Sequence, residues 1–409
     1  MNSLDLNKSP LISQRAIATP ASPIRRLVPY ARKAKAAGHN VYHLNIGQPD
    51  IQSPREFWQA FSQYSDPILA YEESDGNFGL RKAWCEYNKR NLNINISPEQ
   101  LLVTTGASEA LVFLFMVCCD PGDEIIVFDP TYANYMGFAA ISGVKLQPVA
   151  TQIESGFVMP EMSEIQSKIT SRTKAILVCN PNNPTGTVYS TESLQKLLKL
   201  CKESSLFLIA DETYREFVYD GRKPFSVLEL PDANDTVVVV DSLSKRFSLC
   251  GARLGCLITR HQDILAKCLN MAQARLASPT VEQHAAAKML HNLSSEYVEN
   301  SRREFESRCN LVAEYLSKME GVKFVAPQGA FYCIAKLPLT NAEDFAKFML
   351  EDFSYKGSTT FVAPANGFYL DNNRGLDEVR IACMLQRDTL GGAMDVLKRG
   401  LDCYLNKNE

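Results

Sequence analysis

The chain has 409 residues, 45% of them hydrophobic and 22% charged, and a formal net charge of −3. This length exceeds the usual size of one domain, and the ordinary composition is that of a globular protein, not a disordered, fibrous or membrane one. A balance so close to neutral gives no basic field with which to grip nucleic acid.

In chain order, the opening MNSLDLNKSPLISQRAIATP lacks the charged-then-apolar order of a secretory leader, because Asp5, Asn7, Lys8 and Arg15 interrupt any apolar stretch. The expected location is the cytoplasm. ALVFLFMVCC, at 110–119, is the longest apolar run; a bilayer span needs about 20 such residues, so a buried helix is predicted here and no membrane partner. Short apolar runs follow: EIIVF at 124–128, AILVC at 175–179, LFLIA at 206–210, VVVV at 237–240 and CLIT at 256–259. They do not alternate with polar residues, which is the pattern of strands covered on both faces. Over 191–203, Leu194, Leu197, Leu198 and Cys201 recur at helical spacing, with Ser190 or Thr191 as the cap. Buried strands alternating with helices predict an α/β domain with a mainly parallel sheet.

After about residue 295 a long charged amphipathic helix, SSEYVENSRREFESRCNLVAEYLSKME, leads into shorter elements. The expected division is an N-terminal arm over 1–45 that joins the small domain, a large domain over 46–295, and a small α+β domain over 296–409. The twelve cysteines are scattered, without a C-x-x-C pair and mostly within apolar segments, so reduced, buried thiols are expected. His39, His43, His261, His284 and His291 show no metal-ligand spacing, and no metal site is expected.

In open α/β sheets, ligands bind beyond the carboxyl ends of the strands. Three predicted strands run there into chemically loaded residues: AILVC into NPNNPTG, LFLIA into DETY, and VVVV into DSLSK. Singly, Asp211 could be a helix cap and Lys245 a surface charge. Together they suit a cofactor that carries an aldehyde, a phosphate and a basic ring nitrogen. The Lys245 amine can condense with the aldehyde as a Schiff base, helped by neighbouring positive charge that lowers its pKa. Ser242 and Ser244 hydroxyls and the Arg253 fork suit a phosphate dianion. A buried carboxylate, Asp211, favours a protonated ring nitrogen and so a better electron sink.

With these motifs the sequence resembles the class I and II aminotransferases, the fold-type-I pyridoxal-phosphate enzymes of the aspartate aminotransferase superfamily. SLSKRFSLCGARLG is similar to that family's S-x-S-K…G-x-R-x-G signature, NPNNPTG to its asparagine–proline loop, and ADETY to its S/A-D-E-x-Y segment. LNIGQPD (44–50), AYEESDGNFGLR (70–81), VTTGASEAL (103–111), DPTYANY (129–135), QGAFY (328–332) and VRIAC (379–383) follow in the family's order, so the resemblance covers nearly the whole chain. It implies a large domain with a mainly parallel seven-stranded sheet flanked by helices, a smaller α+β domain from the N- and C-terminal segments, and pyridoxal 5'-phosphate as cofactor.

The resemblance also implies roles. Lys245 would carry the cofactor and, displaced by substrate, act as the general base at Cα. Asp211 would face the ring nitrogen, Tyr214 and Asn183 the phenolic oxygen, and Tyr132 the ring face. Backbone N–H groups of Ala107 and Ser108, with Ser242, Ser244 and Arg253, would hold the phosphate. Tyr71 would reach the phosphate of a neighbouring subunit, which implies a homodimer with shared sites. Arg380 would grip the substrate α-carboxylate, and Gly47 would approach substrate through its backbone. The family's loops further imply cis bonds at Asp129-Pro130 and Asn183-Pro184.

The implied reaction moves an amino group between an L-amino acid, aspartate or glutamate first with aromatic, neutral and diaminopimelate-like substrates left open, and a 2-oxo acid such as 2-oxoglutarate. Some bacterial members carry a lysine where Ser108 stands, so that route to a side-chain carboxylate is missing. Arg275, in AQARLASP, is either a ligand for a distal carboxylate or half of a structural ion pair. A lyase or decarboxylase on the same scaffold is the alternative. A transcription regulator would need an added DNA-binding domain, and no basic cluster large enough to grip phosphates precedes LNIGQPD.

Overall fold

The computed structural model describes residues 11–408, so the first ten residues of the stretch read for a leader, and of the 1–45 arm, lie outside the described residues. After β1 (Asn40–His43), seven strands form the main sheet: β2 (Leu101–Thr104), β3 (Glu124–Asp129), β4 (Lys145–Ala150), β5 (Thr173–Cys179), β6 (Phe207–Asp211), β7 (Val237–Ser242) and β8 (Gly255–Thr259). Their order is β2-β8-β7-β6-β5-β3-β4. All neighbours are parallel except β8, which runs antiparallel to both β2 and β7. The five apolar runs of the sequence are β3 and β5 to β8. Val237 to Val240 are 0% exposed, because a β-branched run packs on the pleated surface and helices cover both faces.

The register decides where the chemistry lies. Cys179 pairs with Asp211 and Asp211 with Val240, so the carboxyl ends of β5, β6 and β7 are level and the loops that follow emerge at one edge. The helix Ala107–Cys118 starts at the same edge, after a turn at Gly106 with φ +77°. Gly255 lets the helix start lie against β8: a Cβ there would sit 2.5 Å from the backbone of Gly106 and Ala107. Farther off, Ser190 Oγ accepts from Ser193 N to cap Thr191–Glu203, whose Leu194, Leu197, Leu198 and Cys201 are buried on one face.

Smaller sheets use β1 and the C-terminal strands β9 (Lys323–Phe324), β10 (Tyr332–Lys336), β11 (Ser358–Phe361), β12 (Ala363–Pro364) and β13 (Glu378–Ala382). β1 pairs in parallel with β11, and the others form an antiparallel sheet in the order β12-β13-β10-β9. The amino-terminal strand is thereby built into the carboxyl-terminal part. The expected charged helix spans Ser295–Leu316, capped by Ser294. The bonds at Asp129-Pro130 and Asn183-Pro184 are cis, as is Asn180-Pro181, which the sequence reading did not include. Among the described residues no helix is long and apolar enough to cross a membrane.

Candidate active site

A cavity of about 460 Å³ opens at the carboxyl ends of β5, β6 and β7. Ala107, Ser108, Tyr132, Asn183, Asp211, Tyr214, Ser242, Ser244, Lys245 and Arg253 all line it, so chain segments separated by many residues meet at one place. Lys245 sits in the single turn Leu243–Arg246 that follows β7; the turn starts because Ser242 Oγ accepts from Ser244 N at 3.1 Å. Lys245 Nζ donates to the Gly47 carbonyl at 2.8 Å, with Cys250 Sγ at 3.7 Å. No carboxylate pairs with Lys245 among the described residues.

Asp211 ends β6 and is 4% exposed. Tyr135 OH donates to its Oδ2 at 2.7 Å, while Thr213 N and Oγ1 donate to Oδ1 at 3.1 and 2.6 Å. Burial raises the carboxyl's pKa above its ordinary value, and those donors only partly offset it. Among the described residues no arginine or lysine pairs with it. Sequence reasoning did not assign Tyr135 or Thr213 a part. The available signal was spacing: Tyr135 lies three residues beyond Tyr132, and Thr213 two beyond Asp211.

Arg380, on β13, does not line the cavity but stands directly behind Asn183. Its Nη1 donates to Asn183 Oδ1 at 3.1 Å and its Nη2 to the Asn45 carbonyl at 2.7 Å. The rings of Tyr332 and Phe368 flank it at 4.5 and 4.6 Å. Its Nε has no partner, no carboxylate pairs with it among the described residues, and burial lowers its pKa. This guanidinium is 1% exposed, and a charge buried so deeply is costly without an oppositely charged partner. Asn183 Nδ2 also donates to Tyr214 OH at 3.4 Å, and Tyr214 OH pairs with Tyr332 OH at 3.0 Å. Gly47 must be glycine here, since a Cβ would collide with the Tyr332 ring.

At the opposite end, Arg253 adopts φ +54° and directs Nη1 to the Cys250 carbonyl at 3.0 Å and Nη2 to the Thr105 carbonyl at 3.5 Å. It too lacks a carboxylate among the described residues. Gly106 leaves room for it, because a Cβ there would meet Arg253 Nη2 at 2.5 Å.

Tyr71 and Arg275 lie outside the cavity of this chain. Tyr71 is 80% exposed and takes no part in the cavity of its own chain. Arg275 is held by Glu109, with Nε to Oε1 at 3.1 Å and Nη2 to the Val103 carbonyl at 3.3 Å, and does not line the cavity. Its role here is the structural ion pair. Conversely, Arg25 and Cys250 line the cavity without having been singled out. Arg25 lies in SPIRRL, which belongs to no motif, and only the folding of the arm brings it near.

Beneath the Lys245 turn is a fully buried ion cluster. Arg246 pairs with Asp241 at 2.7 Å and Glu216 at 2.6 Å, and Arg215 pairs with Glu212 and Glu216 at 3.1 Å and with Asp241 at 3.4 Å. Burial alone would raise the Asp241 pKa, but the two guanidiniums, with the Trp84 indole donating to it, hold it low. Glu212 is pushed up to about 7, chiefly by burial. Breaking such a cluster on one side strands a buried charge. Arg246→Ala is therefore expected to cost about 3–5 kcal/mol in chemical unfolding of the cofactor-free protein. A loss below about 1 kcal/mol, the scale of an exposed pair, would show that the cluster does not hold the turn.

Residues 39–387 match the family model for aminotransferase class I and II. The aspartate aminotransferase of Bacillus subtilis is 30% identical over 398 residues, covering 95% of this chain and 98% of that protein. The aspartate aminotransferase of Thermotoga maritima is 35% identical over 335 residues, 80% of this chain and 85% of that protein. Among solved structures, the aspartate aminotransferase from Thermus thermophilus with maleate superposes with a TM-score of 0.87 at 28% identity, covering 96% of this chain and 100% of that one.

Proposed function

The chain belongs to the class I and II aminotransferase family, and from that premise we propose the substrate class and the residue roles that follow. It is a pyridoxal-phosphate-dependent aminotransferase, exchanging an amino group between an amino acid and a 2-oxo acid. The observation that carries the assignment of roles is that Lys245, Arg253 and Asp211 face one cavity and each lacks an oppositely charged partner among the described residues. An amine, a guanidinium beside a helix start and a buried carboxylate are what an aldehyde, a phosphate and a protonatable ring nitrogen require, so the residues present fit the cofactor.

When bound, pyridoxal 5'-phosphate supplies an aldehyde carbon for an amine and a ring that draws off the electron pair left at a substrate Cα. Arg253, the hydroxyls of Ser242 and Ser244 and the N–H groups of Ala107 and Ser108 would hold its phosphate. Asp211, fixed by Tyr135 and Thr213, would keep a proton on the ring nitrogen. Tyr132 would lie against the ring, and Asn183 and Tyr214 would donate to the phenolic oxygen. Lys245 Nζ would anchor the group; once exchanged for the substrate amine, it would take the proton from Cα and deliver it to the neighbouring carbon. Arg380 would bind the α-carboxylate, which supplies the counter-charge its buried guanidinium lacks and orients the Cα–H bond. Gly47 would border the substrate with its backbone.

We assign aspartate or glutamate as donor and 2-oxoglutarate as an acceptor. The names of the relatives support this, as does the dicarboxylate maleate in the Thermus thermophilus structure. The lyase and decarboxylase alternative is not favoured by those names. A homodimer is supported by the exposed apolar residues Ile68, Leu69, Tyr71 and Phe78, and in it Tyr71 would reach the phosphate of the neighbouring subunit. A cytoplasmic location is supported by twelve unpaired thiols, nine of them buried.

The test is to titrate the holoenzyme with single amino acids while following near-ultraviolet and visible absorption and identifying the oxo acids formed. Aspartate or glutamate should convert the bound cofactor and release oxaloacetate or 2-oxoglutarate respectively. Conversion by neutral or aromatic amino acids alone would remove the acidic-substrate assignment, and release of ammonia would replace transfer by elimination.

A further inference from the structure

Once the roles above are filled, the cavity holds one charged side chain with nothing assigned to it. Lys245, Arg253 and Asp211 serve the cofactor. Ser108 offers only a hydroxyl, and Arg275, paired with Glu109, does not line the cavity. Arg25 lines the same cavity, is exposed, and its guanidinium makes no hydrogen bond or ion pair among the described residues.

Its neighbours are all used to fasten the arm. Pro23 lies against Gly367 so closely that a Cβ there would overlap it. Ile24 packs on the cluster around Phe368, and its carbonyl accepts from Asn45 Nδ2 at 3.4 Å. Arg26 pairs with Glu343 at 2.5 Å, and Leu27 is 2% exposed. Arg25 alone is left to face the cavity from a fixed backbone. Asn45 also ties the arm to Arg380: its side chain holds the carbonyl of Ile24, next to Arg25, and its own carbonyl accepts from Arg380 Nη2 at 2.7 Å.

We infer that Arg25 binds the distal carboxylate of the substrate, so that Arg380 and Arg25 together select dicarboxylic amino acids and oxo acids using residues of one subunit. This rests on the acidic-substrate reading above. A second guanidinium beyond the one that takes the α-carboxylate favours a diacid over its monoacid analogue, which would leave a cation facing an apolar chain end.

The test measures binding, not turnover. Glutarate and its monoacid isostere valerate are titrated calorimetrically into holoenzyme and into Arg25→Gln, which breaks no bond of the fold. Wild type should bind glutarate more tightly, and Arg25→Gln should weaken glutarate about ten-fold, the low end for a charged hydrogen bond at an exposed rim. Valerate affinity and cofactor absorption should stay unchanged, and Arg25→Lys should recover part of the loss. If wild type prefers glutarate and Arg25→Gln prefers it equally, the Arg25 assignment falls while the acidic-substrate reading stands. If wild type shows no preference, both fall. Loss of cofactor from Arg25→Gln would place Arg25 on the phosphate and overturn the inference.

Discussion

Lys245→Ala is expected to abolish turnover, with kcat lowered by at least about 10⁴-fold, since the variant loses both the anchoring amine and the base that moves the Cα proton. The loss should be specific to chemistry. Arg253 and the Ala107 helix start still face the phosphate position, and Asp211 still accepts from Tyr135 and Thr213, so cofactor should bind but leave on dialysis. Lys245 Nζ also donates to the Gly47 carbonyl, so the variant should loosen the 44–50 loop and weaken substrate binding modestly. A small primary amine in the buffer, which can enter the space left by the side chain, should restore part of the proton transfer. Single-turnover absorption changes with glutamate give the rate. A variant that keeps more than about one-tenth of wild-type kcat would show that another group carries the proton, because general acid–base catalysis alone contributes about 10²–10⁴-fold.

Why Lys245 and Asp211 could be read from the sequence, and Tyr135 and Arg25 could not, follows from how each is placed. Lys245 and Asp211 each end or follow a continuous apolar run that can only be a buried strand, and parallel register does the rest. β2 and β4 give no such signal: β2 is four residues long, and β4 carries Pro148 and half-exposed positions, as edge strands do. The antiparallel placement of β8 was equally invisible, since it depends on a connection short enough to turn back after Lys245. Contacts that complete the site join distant segments: Tyr135 to Asp211 across 76 residues, Asn183 to Arg380 across 197, Lys245 to Gly47 across 198. No window of sequence contains them. Arg25 is the extreme case, because it reaches the cavity only through the pairing of β1 with β11 and the fastening of its neighbours.

Asp211→Ala should lower kcat by about 10³-fold, the upper range for removing one fixed electrostatic group, with a smaller change in KM. Asp211→Asn separates charge from shape: an amide oxygen still accepts from Thr213, but it cannot hold a proton on the ring nitrogen. It should therefore be nearly as damaging as alanine, and a variant retaining about one-third of activity would mean that hydrogen bonding, not charge, is what Asp211 provides. The same substitution has the opposite sign for stability. Burial raises the folded carboxyl's pKa above its ordinary 3.8, so folding favours the protonated form. That contribution is complete below the unfolded value and is lost as pH rises through the folded one. Without cofactor, Asp211→Asn should then unfold at a higher temperature than wild type near pH 8, with the gain shrinking toward pH 4. In the holoenzyme the gain should disappear, because a cationic ring nitrogen gives the buried carboxylate the partner that the chain itself does not supply. A gain that persists in the holoenzyme at pH 8 would show that Asp211 and the ring nitrogen do not meet.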